Sequence, residues 1–279
     1  MKEPPGFRFR RAVAEEIPLQ IVGTINAYAA ILAKSCGFRA IYLSGAGVSN
    51  ASYGIPDIGL TTMDNVLEDA KRITDAVDLP LLVDIDTGWG NTPMIARTIR
   101  AMERASVAAV HLEDQPFEKQ CGHLKTAVVP KGKMVERIRA AVDARTDPSF
   151  VVMARTDAFR SEGLDKTLER SLAYEEAGAD IHFIEALSSL EEYQKFTKVL
   201  QRPVLVNTTE FGKTPLFTKE ELAGAGVGLI LYPLSAWRAM NLAALRVYEG
   251  IRTQGTQKNF LCEMQTREEL YGFLNYIPK

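Results

Sequence analysis

Between Glu113 and His123 the chain reads Glu-Asp-Gln-Pro-Phe-Glu-Lys-Gln-Cys-Gly-His, which places the Cys121 thiol between Lys119 and His123. Cationic neighbours of this kind lower a thiol's pKa and fit it to act as an acid, a base or a nucleophile. The same residues would also serve as an ordinary loop cysteine and a surface histidine, so their surroundings have to decide. A second cluster is Asp84-Ile85-Asp86. Carboxylates two apart on an extended chain face the same side. With Glu113 they form an all-oxygen set suited to a hard cation, Mg2+ rather than Zn2+; the alternative is a pair of turn aspartates capping Gly88 and the next helix. A third is Ser44-Gly45-Ala46-Gly47, whose small residues let backbone N–H groups approach an anion. It lacks the Gly-Lys-Ser/Thr ending of a P-loop, so a carboxylate fits better than a nucleotide phosphate. Arg155, Arg238 and Arg267 are each able to hold a carboxylate bidentately, or to sit in a surface ion pair.

Each cluster follows an apolar run, and the runs recur along the chain. They predict strands at Gln20–Gly23, Ala40–Leu43, Leu79–Asp84, Ala108–Leu112, Phe150–Ala154, Ile181–Ile184, Pro203–Val206 and Gly228–Tyr232. Helical spacing between them predicts helices at Asn26–Cys36, Met63–Val77, Pro93–Ala105, Lys131–Ala144, Leu164–Ala177, Leu190–Val199 and Thr218–Ala223. Thr62, Thr92 and Thr218 stand where N-caps belong, and Gly37, Gly178 and Gly226 follow helix ends. Strand and helix alternating about eight times predicts an α/β fold, a (β/α)8 barrel in one domain over residues 1–279. No Gly-x-Gly-x-x-Gly follows a strand, as a dinucleotide-binding sheet would require. Ala236–Arg252 and Glu263–Phe273 exceed what closing a barrel needs, so 236–279 reads as a C-terminal helical extension that packs on another subunit of a homo-oligomer.

In such a barrel the reactive face lies at the C-terminal ends of the strands. There the chain places Thr24 and Asn26, Ser44, Asp84 and Asp86, Glu113 and Asp114, Arg155 and Asp157, Glu185, Asn207 and Thr209, and Ser235. Loops are polar in any protein, but a complete ring of hydrogen-bonding strand ends is more than loop composition requires. Composition narrows the reading further. The net charge is -2 and no Lys/Arg run would follow a phosphate backbone, so nucleic acid is not an expected partner. No apolar run is long enough to span a bilayer and the N-terminus lacks a secretory signal, so the protein is expected in the cytoplasm, away from membranes. The three cysteines, Cys36, Cys121 and Cys262, are odd in number and widely spaced, which predicts neither a disulfide scaffold nor a zinc site.

Taken together, Tyr42-Leu43-Ser44-Gly45-Ala46-Gly47, Pro56-Asp57-Ile58-Gly59-Leu60-Thr61-Thr62, Asp84-Ile85-Asp86-Thr87-Gly88, Glu113-Asp114-Gln115, Lys119-Gln120-Cys121-Gly122-His123, Met153-Ala154-Arg155-Thr156-Asp157 and Asn207-Thr208-Thr209-Glu210-Phe211-Gly212 resemble the isocitrate lyase and phosphoenolpyruvate mutase superfamily. The resemblance implies a Mg2+-dependent lyase, with Mn2+ able to take its place. Its reaction would split a tricarboxylate, 2-methylisocitrate, into pyruvate and succinate in the methylcitrate cycle of propionate catabolism. It also implies roles for residues. Ser44, Gly45 and Ala46 would hold the pyruvate portion, and Asp84 and Asp86 the metal, directly or through water, with Glu113 at the same end. Cys121 and Gly122 would lie on an active-site loop, while Arg155, Glu185, Asn207, Thr208, Thr209, Arg238 and Arg267 would contact substrate. The superfamily exchanges its last helices between subunits of a tetramer, in keeping with the surplus helices here. Gln120 stands where the family commonly has a basic residue, and Ala46 where it commonly has glycine.

Cleavage of this type needs a base for the substrate hydroxyl, charge stabilisation for the enolate and an acid for the carbanion. Cys121 is read as the acid, aided by Lys119 and His123. Asp57 and Tyr42 are both candidates for the base. Phe183 and Leu231 match apolar positions associated with the extra methyl group, a difference of about 1–3 kcal/mol in a hydrophobic pocket. Isocitrate, or another substrate yielding a 2-oxo acid, is the alternative. A non-catalytic carboxylate-binding protein on the same scaffold is the reading from a different class, and it would have no need of a poised acid.

Overall fold

The computed structural model describes residues 3–117 and 127–277. Eight parallel strands close into a barrel in sequence order: β1 (Leu19–Gly23), β2 (Ala40–Leu43), β3 (Leu81–Asp84), β4 (Ala109–Glu113), β5 (Val151–Thr156), β6 (Ile181–Ile184), β7 (Val204–Asn207) and β8 (Leu229–Tyr232), with β8 pairing back onto β1. This is the predicted (β/α)8 barrel. Each strand is covered on both faces, which is why its inward and outward residues are both apolar. Leu19, Ile21, Leu82, Ala109, Val151, Met153, Ile181, Leu205 and Leu229 fill the interior. Ile41, Leu43, Leu81, Val83, Val110, Leu112 and Val152 face the helices instead. Further along most of the strands the inward positions turn polar, so the period of two that builds the core also aims side chains into the barrel mouth.

The surrounding helices are α2 (Ala27–Ser35), α4 (Met63–Ala76), α5 (Thr92–Arg104), α6 (Lys131–Asp143), α8 (Leu164–Glu176), α9 (Leu190–Val199) and α10 (Lys219–Gly224), with short turns α3 (Gly45–Gly47) and α7 (Phe159–Glu162) at the mouth. Thr62 and Thr218 cap α4 and α10 through capping boxes. Thr92 does not cap α5. That role falls to Asn91, whose side chain accepts from Met94 N, leaving Thr92 as the first helical residue. Gly37, Gly178 and Gly226 have φ of 85°, 101° and 77°, the left-handed conformation that ends a helix cheaply only with glycine.

One helix has no counterpart in the sequence reading. In α1 (Pro5–Glu15), Phe9 and Ala12 are buried in the same cluster as the barrel interior, so the helix closes the barrel's N-terminal end. Arg10 fixes it there, donating to Ser149 O and to the Asp180 carboxylate, each at 2.8 Å. At the other terminus α11 (Ser235–Gln254) is followed by a 3-10 turn at Lys258–Glu263 and by α12 (Arg267–Phe273), which rests on α2. The predicted last helix therefore begins at Arg267 rather than at Glu263. Along α11, Met240, Leu242, Leu245, Tyr248 and Ile251 are exposed. No helix among the described residues is long and apolar enough to cross a membrane.

Candidate active site

Inward residues of seven strands or their ends, Tyr42, Asp84, Glu113, Arg155, Phe183, Asn207 and Leu231, line a cleft of about 420 Å³ at the barrel mouth. Ser44, Asp57, Glu185 and Thr209 join them from the segments after the strands, Ala46 from α3 and Arg238 from the first turn of α11. Residues far apart in sequence are thus brought to one space by strand register alone.

The acidic side is built around Gly45. Asp84 Oδ2 accepts from Gly45 N at 3.1 Å, and Asp84 Oδ1 accepts from Asp86 N at 3.0 Å. Asp86 adopts φ of 48°, a left-handed conformation uncommon for a side chain other than glycine. A Cβ on Gly45 would lie 3.0 Å from Asp84 Oδ2 and 3.3 Å from Asp86 Oδ1, so the two carboxylates converge where that methyl would be. Both are buried, as is Glu113. Four carboxylates, Asp57, Asp84, Glu113 and Glu185, line the cleft against two guanidiniums, Arg155 and Arg238. Such a cleft repels an anion unless a cation enters with it. Among the described residues no three of His, Cys, Asp and Glu are placed to enclose a metal by themselves. The donors that are present, the buried carboxylate oxygens of Asp84, Asp86 and Glu113, are of the kind that suits a hard cation such as Mg2+.

Arg155 is the centre of the opposite wall. It forms a bidentate pair with Asp157, Nε to Oδ2 at 3.1 Å and Nη2 to Oδ1 at 2.9 Å, and lies 3.3 Å from Glu113 Oε2 and 3.6 Å from Glu185 Oε2. Its guanidinium also sits over the Phe183 ring, 5.1 Å from the centroid. Burial would release its proton, but Asp157, Glu113 and Glu185 outweigh burial and hold it firmly charged. Behind it, burial and then the charge of Asp157 lift the Asp114 carboxyl to about 6.

Below the cleft floor His111 is fully buried, with Nε2 2.9 Å from Tyr42 Oη and Nδ1 3.6 Å from Asp84 Oδ1. Burial, reinforced by Asp84, pushes the Tyr42 phenol well above its ordinary value, against the pull of Arg155. The sequence reading passed over His111 because it lies inside an apolar run. Its signal was alternation: Ala109, His111 and Glu113 share the inward face of β4.

Other expected site residues are distributed as follows. Asn207 Nδ2 donates to Glu185 Oε2 at 3.3 Å, and Thr209 Oγ1 donates to Asn207 Oδ1 at 2.9 Å. Thr208 donates to Leu231 O at 2.8 Å and is not among the cleft-lining residues. Arg238 stands at the rim, 3.7 Å from Glu210 Oε2 and 5.9 Å from the Phe211 ring. Arg267 opens α12 and is also not among them. Lys119, Cys121, Gly122 and His123 lie outside the described residues. Asn50, Pro56, Ile58, Pro233 and Leu234 line the cleft without having been singled out as site residues.

The phosphoenolpyruvate phosphomutase family matches residues 9–252 of the chain. The 2-methylisocitrate lyase of Shewanella oneidensis is 57% identical over 277 residues, covering 99% of this chain and 95% of that protein. The chain belongs to the phosphoenolpyruvate phosphomutase family. Among solved structures of its superfamily, 2,3-dimethylmalate lyase superposes with a TM-score of 0.91 at 32% identity, covering 98% of this chain and 92% of that one. A phosphonopyruvate hydrolase in complex with oxalate and Mg++ gives a TM-score of 0.86 at 29% identity, covering 98% and 95%. Membership fits the geometry, since the family's barrel mouth is where this chain gathers its carboxylates and arginines.

Proposed function

We propose that the chain is a 2-methylisocitrate lyase that releases pyruvate and succinate. The observation that carries the reading is one cleft lined by Tyr42, Asp84, Glu113 and Arg155, in which Asp86 converges on Asp84 beside Gly45 and Asp157 fixes the guanidinium of Arg155. The reaction needs those parts. Tyr42 Oη takes the proton of the substrate hydroxyl, with His111 Nε2 at 2.9 Å to receive the phenol's own proton. The carbon–oxygen bond becomes the carbonyl of pyruvate, the neighbouring carbon–carbon bond breaks, and its electron pair passes to the carboxylate-bearing carbon of succinate. Cys121 delivers a proton to that carbon. Arg155 and Arg238 hold carboxylates throughout, and Phe183 and Leu231 furnish apolar wall for the methyl group. Asp84 and Asp86, with Glu113 near them, would hold Mg2+ or Mn2+ partly through water. That cation supplies Lewis-acid polarisation of the hydroxyl and forming carbonyl.

The deciding assay follows pyruvate from 2-methylisocitrate and from isocitrate, each with Mg2+ and with EDTA. Metal-dependent release from 2-methylisocitrate is expected. Equal or better turnover of isocitrate reassigns the substrate, and no release from either leaves a carboxylate-binding role. The exposed apolar residues of α11 support a further part of the proposal, that the enzyme is a homotetramer with this helix covered by another subunit; the proposed location is the cytoplasm.

A further inference from the structure

Asp114 is fully buried and does not line the cleft, yet it gathers three hydrogen bonds. Its Oδ1 accepts from Asp157 N at 2.9 Å, and its Oδ2 accepts from Thr156 Oγ1 at 2.7 Å and from Tyr174 Oη at 2.9 Å. Arg170 Nη1 lies 3.7 Å from the same Oδ2. Arg170 is itself fixed, by two 2.7 Å bonds to the Glu162 carboxylate and one of 2.9 Å to Val129 O.

We propose that Asp114 is a positioning residue for Arg155, acting through Asp157. The need arises because Arg155 has three carboxylates, those of Asp157, Glu113 and Glu185, within 3.6 Å. Of the three, Asp157 is the one that Arg155 meets bidentately, so the placement of Asp157 bears most directly on the plane of the guanidinium. Asp114 fixes the backbone of Asp157, so the Asp157 carboxylate presents both oxygens in one plane and sets the plane of Arg155. The remaining edge, with Nη1 3.3 Å from Glu113 Oε2 and Nη2 3.6 Å from Glu185 Oε2, borders the cleft, where a substrate carboxylate would compete with those two side chains for it. The line of support runs from α8, through Tyr174 and Arg170, to the end of β4 and across to β5. The inference rests on the reading of Arg155 as a substrate-carboxylate group.

The test compares Asp114→Ala and Asp114→Asn by steady-state kinetics on 2-methylisocitrate, succinate binding by calorimetry, and thermal unfolding. Asp114→Ala leaves Asp157 N–H without its acceptor, and KM and the succinate Kd are expected to rise roughly tenfold or more while kcat stays within about threefold. Asp114→Asn keeps an oxygen for Asp157 N–H but turns a donor toward two hydroxyls. It is expected to restore KM to within about threefold of wild type while lowering Tm, the opposite of what a purely structural acid would give. A wild-type KM in Asp114→Ala overturns the proposal, as does an Asp114→Asn enzyme with a KM as high as that of the alanine variant. Should Asp114→Ala not fold, Asp114→Ser, too short to reach Asp157 N–H, carries the same expectation and the same refutation. If the wild-type enzyme neither cleaves 2-methylisocitrate nor binds succinate, the function is wrong, and that result is separate from any difference among the variants.

Discussion

Replacing Gly45 by alanine is the sharpest probe of the acidic end of the cleft. The residue has no positive φ, so alanine meets no backbone penalty, and the added methyl is the whole perturbation. That methyl would stand 3.0 Å from Asp84 Oδ2, 3.3 Å from Asp84 Cγ and 3.3 Å from Asp86 Oδ1, closer than ordinary van der Waals contact on three counts. Both carboxylates must retreat by a few tenths of an ångström, and the bond from Gly45 N to Asp84 must lengthen. Overpacking of this kind costs about 1–3 kcal/mol. Because the displaced atoms are the proposed cation ligands, the loss should be read in metal affinity, about 5- to 150-fold weaker. The global fold should be little affected, since alanine is about 1 kcal/mol better than glycine in a helical turn. Calorimetric titration with Mg2+ measures the affinity, and melting with and without Mg2+ checks it independently. Wild-type Mg2+ affinity in Gly45→Ala would refute the idea that Asp84 and Asp86 hold the cation against this glycine.

Two further outcomes follow from the same geometry. Tyr42→Phe should lower kcat by about 10²- to 10⁴-fold with KM little changed, and a kcat near wild type would remove Tyr42 from the base role in favour of Asp57. His182, buried on the outer face of β6 with Nε2 3.0 Å from Glu175, is pushed below the ordinary histidine value of 6.5 by burial, against the pull of Glu175. Its folded pKa is depressed, so its contribution is complete above pH 6.5 and is lost as the pH falls below that value. Urea midpoints of wild type and His182→Gln between pH 7.5 and 5.5 should therefore converge on acidification, and parallel curves would contradict the assignment.

The strands were legible because burial on both faces writes them as uninterrupted apolar runs, and all eight lie within two residues of where periodicity put them. The carboxylates and Arg155 were legible for the same reason, since a strand end at the barrel mouth is readable once the strand is. Helix α1 was not, because its buried face is narrow, with Phe9 and Ala12 set among arginines that read as solvent-facing. His111 was hidden by the opposite effect, an imidazole inside a run so apolar that it passed for core. Thr92 shows the ordinary one-residue ambiguity of a cap, with two good capping residues adjacent. The Asp114 network was invisible because its partners, Thr156, Arg170 and Tyr174, come from β5 and α8, and only the closed sheet brings them together.

The helix that seals the floor of the barrel has a consequence for how the chain is made. Its anchors, Ser149 and Asp180, come 139 and 170 residues after Arg10, and its apolar neighbours inside the barrel extend to Leu229 and Leu231. During synthesis helix α1 emerges long before the strands it covers, and Phe9 has no burial site until most of those strands have paired. Helix α1 is therefore translated ahead of every element it covers and has its native neighbours only once those elements have formed.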